Sequence, residues 1–164
     1  IPKDRMSEPG RVLIHADAPE WAATLSAAGA DAATATSEVA DAAVRALSAW
    51  SLDWSARPEV VVALTADGTL GPLAASVGEH VAGAGRLPFG RMPVTGPASP
   101  DMSGPAEAAH WRDAVGSADA DVTGAAVLLV VDRSVSGWAV TVAGARLREA
   151  GARAVLPLLI HRGV

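Results

Sequence analysis

Apolar and polar positions along the chain fall into two kinds of block. Val60–Leu64 (VVVAL), Val127–Val131 (VLLVV) and Ala154–Ile160 (AVLPLLI) are apolar runs of strand length with no polar alternation. Strands without a polar face are buried on both sides, as in parallel sheets. Between these runs the apolar residues take a helical period. In residues 36–54, Val39, Ala43, Ala46, Leu47 and Trp50 recur on one side, with Ser37 as the expected N-cap and Glu38 and Asp41 at the positive end. Trp50 and Trp54, four apart, are expected to share a face, and Pro58 stops the pattern. Residues 20–30, about 70–84, 106–115 and 138–150 also read as helices, and 86–94 holds a short strand. Gly151 stands where a glycine that ends a helix is expected. Strand, helix, strand with buried strands implies right-handed crossovers. The fold class is therefore α/β: an open, mainly parallel sheet flanked by helices, with an N-terminal helical arm. Residues 1–18 form an arm or linker. Residues 19–164 form a single domain, of which 19–57 is a helical lead-in.

Composition narrows the classes. At 164 residues the chain is long enough for one domain with a proper core. Half of it is hydrophobic, yet only five Trp and one Phe are aromatic and there is no Tyr, so Val, Leu and Ala must build most of the core. The formal charge of −5 argues against a segment that grips nucleic acid through phosphates. Cysteine is absent, which excludes disulfides and thiolate metal sites and suits a cytoplasmic location. No apolar run approaches the roughly 20 residues of a membrane span, so no membrane partner is expected. The chain starts on Ile1 and has no signal-peptide centre; it is expected to be a piece of a longer polypeptide.

One stretch suggests chemistry. Val127–Thr141 (VLLVVDRSVSGWAVT) runs from an apolar strand through an acidic residue and a small polar loop into an amphipathic helix. Amides at a helix start, backed by the helix dipole, bind phosphate groups. Ser134, Val135, Ser136, Gly137 and Trp138 are the candidate phosphate loop. The alternative is an ordinary strand-to-helix turn with a serine as N-cap. Asp132 is a candidate for ribose hydroxyls or a magnesium-bound ligand; its alternative is a strand-end Asp bonding its own turn. In a parallel sheet the loop after the first buried strand, Thr65, Ala66, Asp67, Gly68 and Thr69, would face the same crevice. His15, His80, His110 and His161 are scattered, so no metal site is expected. Neither a G-x-x-x-x-G-K-[ST] loop nor a G-x-S-x-G elbow occurs.

Val127–Thr141 resembles the signature of the phosphoribosyltransferase fold: an apolar strand, two acidic residues, a short spacer, then Ser or Thr, Gly, any residue, Thr. Asp132 matches the second acidic position and Ser136–Gly137 the loop. Val131 stands at the first acidic position and Ala139 where Thr is usual, with Thr141 nearby. The likeness narrows over VLLVVDRSVSGWAVTVAGARLREAGARAVLPLLI, which looks like the C-terminal phosphoribosyltransferase-like domain of RecQ-type ATP-dependent DNA helicases of actinobacteria. The I-P-x-D-R start, E-P-G-R, the L-x-A-W helix end before R-P-x-V-V-V, and G-R-L-P fit the same pattern.

The resemblance implies that the loop takes a 5′-phosphate and Asp132 the ribose hydroxyls. The departures imply lost catalysis. Val131 removes a carboxylate, TADGT at 65–69 lacks the Ser-Arg run of the relatives, and no basic or metal-binding set stands ready for a departing pyrophosphate. The expectation is a non-catalytic accessory domain with a degenerate phosphate loop, in a protein of DNA repair or recombination. Its ligand would be phosphate or a phosphorylated ribose, with ATP and Mg bound only by the parent helicase. Its partners would be the helicase core of the same polypeptide and, through that core, DNA, with homo-oligomerisation left open. Two alternatives stand beside it: an active phosphoribosyltransferase that uses phosphoribosyl pyrophosphate with Asp132 alone, and a DNA-binding accessory module.

Overall fold

The computed structural model describes residues 2–15, 32–66, 73–96, 101–134 and 136–162. Five strands form one sheet: β1 (Arg11–His15), β2 (Val60–Ala66), β3 (Phe89–Val94), β4 (Ala126–Ser134) and β5 (Ala154–Arg162). Their order is β1-β5-β4-β2-β3, and every pairing is parallel. Four α-helices flank it: α1 (Ala32–Trp50), α2 (Leu73–Gly85), α3 (Gly104–Ala114) and α4 (Trp138–Glu149). The open, parallel α/β sheet expected from the apolar runs is what forms.

Alternation along the strands divides the core. Val61, Ala63, Leu128, Val130, Leu156, Leu158 and Ile160 face α1 and α2. Val60, Val62, Leu64, Val127, Leu129, Val131, Val155 and Leu159 face α3 and α4. Each valine, leucine or isoleucine among them, fully buried, contributes about 1.5–3 kcal/mol relative to exposure. Aromatic mass is scarce, so β-branched and leucine side chains fill both layers. α2, between β2 and β3, and α4, between β4 and β5, lie on opposite faces. That follows when crossovers of one hand run outward in opposite directions from the sheet centre.

The edges are managed differently. Beside β3, Asp119 accepts from the Arg91 amide (2.6 Å) and returns its own amide to the Arg91 carbonyl (3.0 Å). Ala120 Cβ would meet a side chain at Gly90 at 2.5 Å, so only glycine admits this cover. At the other edge, part of the segment expected as an arm belongs to the sheet: Arg11–His15 is β1, paired with β5 from Arg11–Leu158 to His15–Arg162. Residues before it lie along α4 and β5. The Glu8 amide donates to the Val155 carbonyl (2.8 Å), and Arg5 pairs with Glu149 (2.8 Å).

Several boundaries differ from expectation. α1 begins at Ala32, so Ser37 lies inside the helix and does not cap it. Trp54 lies beyond α1, after a 3₁₀ turn at Ser51–Asp53, yet its ring meets Trp50 edge-on with centroids 6.1 Å apart. α3 starts at Gly104, and Ser103 is its N-cap, accepting from the Ala106 amide (3.4 Å). The helix expected at 20–30 lies outside the described residues. Among the described residues no helix is long and apolar enough to cross a membrane.

Candidate functional site

The strand order creates one place where the chain leaves β2 in opposite directions. β3 lies on one side of β2 and β4 on the other. Parallel sheets bind ligands at the carboxyl ends of strands beside such a reversal. The register shows the sheet parting there. β2 pairs with β4 from Val60–Val127 to Ala63–Val130 and no further. β2 stays with β3 to Ala66–Val94, and β4 stays with β5 to Ser134–Arg162. A crevice therefore opens between the last three residues of β2 and the last four of β4.

Continuing the β2–β4 register by two positions sets Thr65 opposite Asp132. Both belong to the face that carries Ala63 and Val130, under α1 and α2. Asp132 is only 8% exposed, the single charged residue among the buried ones described. A carboxylate is stable in such a place only when it is hydrogen-bonded or paired. Val131 faces the other way, 3% exposed, and packs with the α4 residues Ala139 and Val142. One carboxylate, not two, thus closes β4.

The loop after β4 enters α4 through Gly137, which has φ = +84° and ψ = −5°. This left-handed conformation suits glycine, and a Cβ there would meet nothing within 4 Å. Gly137 provides no side-chain cap. Instead, Ser136 Oγ accepts from the Trp138 amide (3.3 Å), so the serine does part of a capping residue's work. The same hydroxyl donates to Glu107 Oε1 at 2.6 Å. Glu107 also accepts from Trp111 Nε1 (3.1 Å), one turn along α3. The loop hydroxyl expected to face a phosphate is therefore engaged by a carboxylate from α3.

The remaining candidates divide as follows. Thr65 and Ala66 end β2 at the crevice, and Ser134 ends β4. Val135, Asp67, Gly68 and Thr69 lie outside the described residues. Trp138 opens α4 half-buried and also borders a cavity of about 550 Å³ beneath the N-terminal segment, together with Arg5, Arg11, Gly137, Thr141 and Pro157. A cavity of about 590 Å³ between the ends of α1 and α2, lined by Leu47, Trp54, Arg57 and Leu87, is at the amino end of the sheet, remote from the crevice. Nothing in the sequence alone marks Glu107. Its pairing spans 29 positions, and its only local mark is an acid in the first turn of a helix.

These residues suit some groups better than others. The Trp138 amide and the Ser136 hydroxyl have the chemistry to hold a small anion, but each is engaged within the protein, the amide by Ser136 Oγ and the hydroxyl by Glu107. A magnesium-bound diphosphate would need a second carboxylate or a cationic set, and Val131 is apolar. Among the described residues no three of His, Cys, Asp or Glu converge to hold a metal.

No protein-family model matches the chain, and no curated protein sequence matches it. Solved structures do. A hypoxanthine phosphoribosyltransferase from Staphylococcus aureus aligns with a TM-score of 0.51 at 11% identity, covering 76% of this chain and 62% of that enzyme. A purine phosphoribosyltransferase from Pyrococcus horikoshii aligns at 0.49 and 13% identity, over 76% of this chain and 82% of that one. A phosphoribosylpyrophosphate synthetase from Mycobacterium smegmatis aligns at 0.46 and 21% identity, over 71% of this chain and 32% of that one. The fold is phosphoribosyltransferase-like. The chain spans about 62% of the length of the Staphylococcus enzyme, and likeness at this identity concerns architecture, not activity.

Proposed function

We propose that this chain is a non-catalytic phosphoribosyltransferase-like domain that takes a phosphorylated ribose, or phosphate itself, in the crevice between β2 and β4. The observation that carries the reading is the parting of the sheet after Ala63–Val130, with buried Asp132 on its floor and the start of α4 on its rim. Asp132 would accept from ribose hydroxyls, and the α4 amides with Ser136 would receive the phosphate. Val131 supports the loss of transfer chemistry, because it packs an apolar group where a second acid would share the ribose or its metal. Transfer also needs the departing pyrophosphate stabilised, and the described residues bring no cationic set to the crevice.

The wider setting rests on the resemblance of Val127–Ile160 and the upstream segments to the appended domain of RecQ-type DNA helicases. On that reading the domain is cytoplasmic and serves a helicase core of the same polypeptide. It reaches DNA through that core, in keeping with its own charge of −5.

Calorimetry with ribose 5-phosphate, phosphoribosyl pyrophosphate and inorganic phosphate, with and without magnesium, tests the site. Saturable binding with no turnover of purine or pyrimidine bases is the expected result. Turnover of any base overturns the non-catalytic reading, and no binding of any of the three overturns the site. The open reading frame that contains this chain tests the setting, since a helicase motor should be encoded upstream.

A further inference from the structure

A third cavity, of about 460 Å³, runs between α3 and α4 under the N-terminal segment. Its size falls within the range of about 300–1,000 Å³ usual for small-molecule sites. None of its lining residues belongs to β2 or β4, so it is separate from the crevice. Four charged side chains line it: Arg5, Arg112, Arg146 and Glu149. Three guanidinium groups against one carboxylate leave a surplus of two positive charges, in a chain whose formal charge is −5. Glu149 is shared: Arg5 takes its Oε1 at 2.8 Å, and Arg146 stands 4.0 Å from its Oε2. Arg146 also donates to the Arg112 carbonyl at 2.6 Å, which holds it across to α3. Among the described residues no carboxylate pairs with the Arg112 guanidinium. Between the charges the walls are apolar: Ala108 of α3, with Trp138, Val142 and Ala145 of α4. Ala108 and Arg112 stand one turn apart on α3, and the α4 residues follow one stripe from Trp138 to Glu149. Helical spacing alone therefore brings these groups to one groove.

We propose that this groove is a second binding site, for a small organic dianion: a phosphate monoester or a dicarboxylate on a compact apolar body. Two observations set that class. The surplus of positive charge calls for a ligand with two negative charges, and guanidinium forks meet phosphate and carboxylate oxygens through paired hydrogen bonds. The apolar walls give an inorganic ion nothing to bury, so the rest of the ligand is apolar. Arg112 is the principal contact, because Glu149 already engages Arg5 and Arg146. Removing one guanidinium about 4 Å from a dianion, in water at ordinary salt, weakens binding about tenfold. Removing Glu149 acts in the other direction, since it takes away a carboxylate that repels the ligand and competes for two arginines. The groove stands or falls independently of the crevice.

Wild-type protein, Arg112→Gln and Glu149→Gln are titrated with phenyl phosphate, phthalate and inorganic phosphate, followed by the methyl chemical shifts of Ala108 and Ala145, which report on this groove. Both substitutions fall at exposed positions, and urea midpoints check that each variant folds. The expected result is saturable binding of phenyl phosphate or phthalate, about tenfold weaker in Arg112→Gln and about threefold or more tighter in Glu149→Gln. The tighter of the two organic probes identifies the headgroup, and either supports the site. A gain in Glu149→Gln cannot come from a folding defect, so it guards the reading of Arg112→Gln. Three results overturn the proposal: no saturable shift of the two methyls with any probe, equal affinity in wild type and both variants, or inorganic phosphate bound as tightly as phenyl phosphate.

Discussion

Gly137 offers a sharp test of how the backbone builds the site. Its φ of +84° places it in the left-handed region, where an L side chain costs about 1–2 kcal/mol. Space is not the constraint, since a Cβ at Gly137 would touch nothing within 4 Å. The cost of Gly137→Ala is thus almost wholly conformational. Part of it is offset because alanine restricts the unfolded chain, by about 0.4–1 kcal/mol. The net expectation is a loss of about 1 kcal/mol, or about 2–4 °C in Tm for a chain of this size. Asparagine tolerates the left-handed region, so Gly137→Asn should recover about half of that loss. Urea midpoints of the three proteins, with phosphate titrations beside them, measure it. Both variants should keep a phosphate site if the left-handed conformation persists, because the added atoms point into open space. Gly137→Ala as stable as wild type, with Gly137→Asn no different from it, would refute the claim that this φ governs how α4 begins.

Three further outcomes are expected. Asp132→Asn removes the charge that would accept from ribose hydroxyls; the affinity for ribose 5-phosphate should fall about tenfold or more, while that for inorganic phosphate changes little, and calorimetry with both ligands checks it. Val131→Asp, the change that restores an acidic pair in sequence, should destabilise by upwards of about 3 kcal/mol in urea unfolding and confer no transferase activity, because it places a carboxylate among Leu129, Ala139 and Val142. Glu59 ties the start of β2 to the start of β4: Arg153 donates to its carboxylate, as does the Ala126 amide (3.4 Å). Those two partners, Arg153 foremost, hold its carboxyl below the ordinary 4.5, so folding favours the ionised form. Its contribution is then full above about pH 4.5 and disappears as the pH falls through the lowered value; Arg153→Gln should flatten that part of the stability profile between pH 5 and 3, and an unchanged profile counts against the pairing.

What could be read from the chain alone follows from the range over which each signal acts. Val60–Leu64, Val127–Val131 and Ala154–Ile160 announce buried strands because burial on both faces demands uninterrupted apolar residues, a local requirement. The turn at Gly137 and the helix end at Gly151, with φ of +106°, are legible for the same reason, since each is a single residue's conformational need. β1 was harder. Its five residues, RVLIH, begin and end on charged or titratable side chains, and its place at the edge depends on β5 rather than on its own pattern. The start of α1 escaped because Ser37 advertises a cap that alanine-rich residues before it override: Ala and Thr at 32–36 continue the helix without a cap signal of their own. Glu107 escaped altogether. Contacts between the first turn of α3 and the loop before α4 depend on how two helices on the same face of the sheet pack, and no spacing within either segment encodes that.

The pleat explains why the site has one acid and why a simple reversal would not supply the other. Adjacent residues of a strand point to opposite faces, so an acidic pair at 131 and 132 must send one carboxylate towards α1 and α2 and the other towards α3 and α4. Here the second direction is filled. Ala139, Val142 and Ala143 of α4 press against Val131, Leu129 and Leu159, and α3 adds Trp111 and Ala114 to the same layer. On that side of the sheet Glu107 of α3 reaches the loop before α4, where Ser136 and Trp111 both donate to its carboxylate.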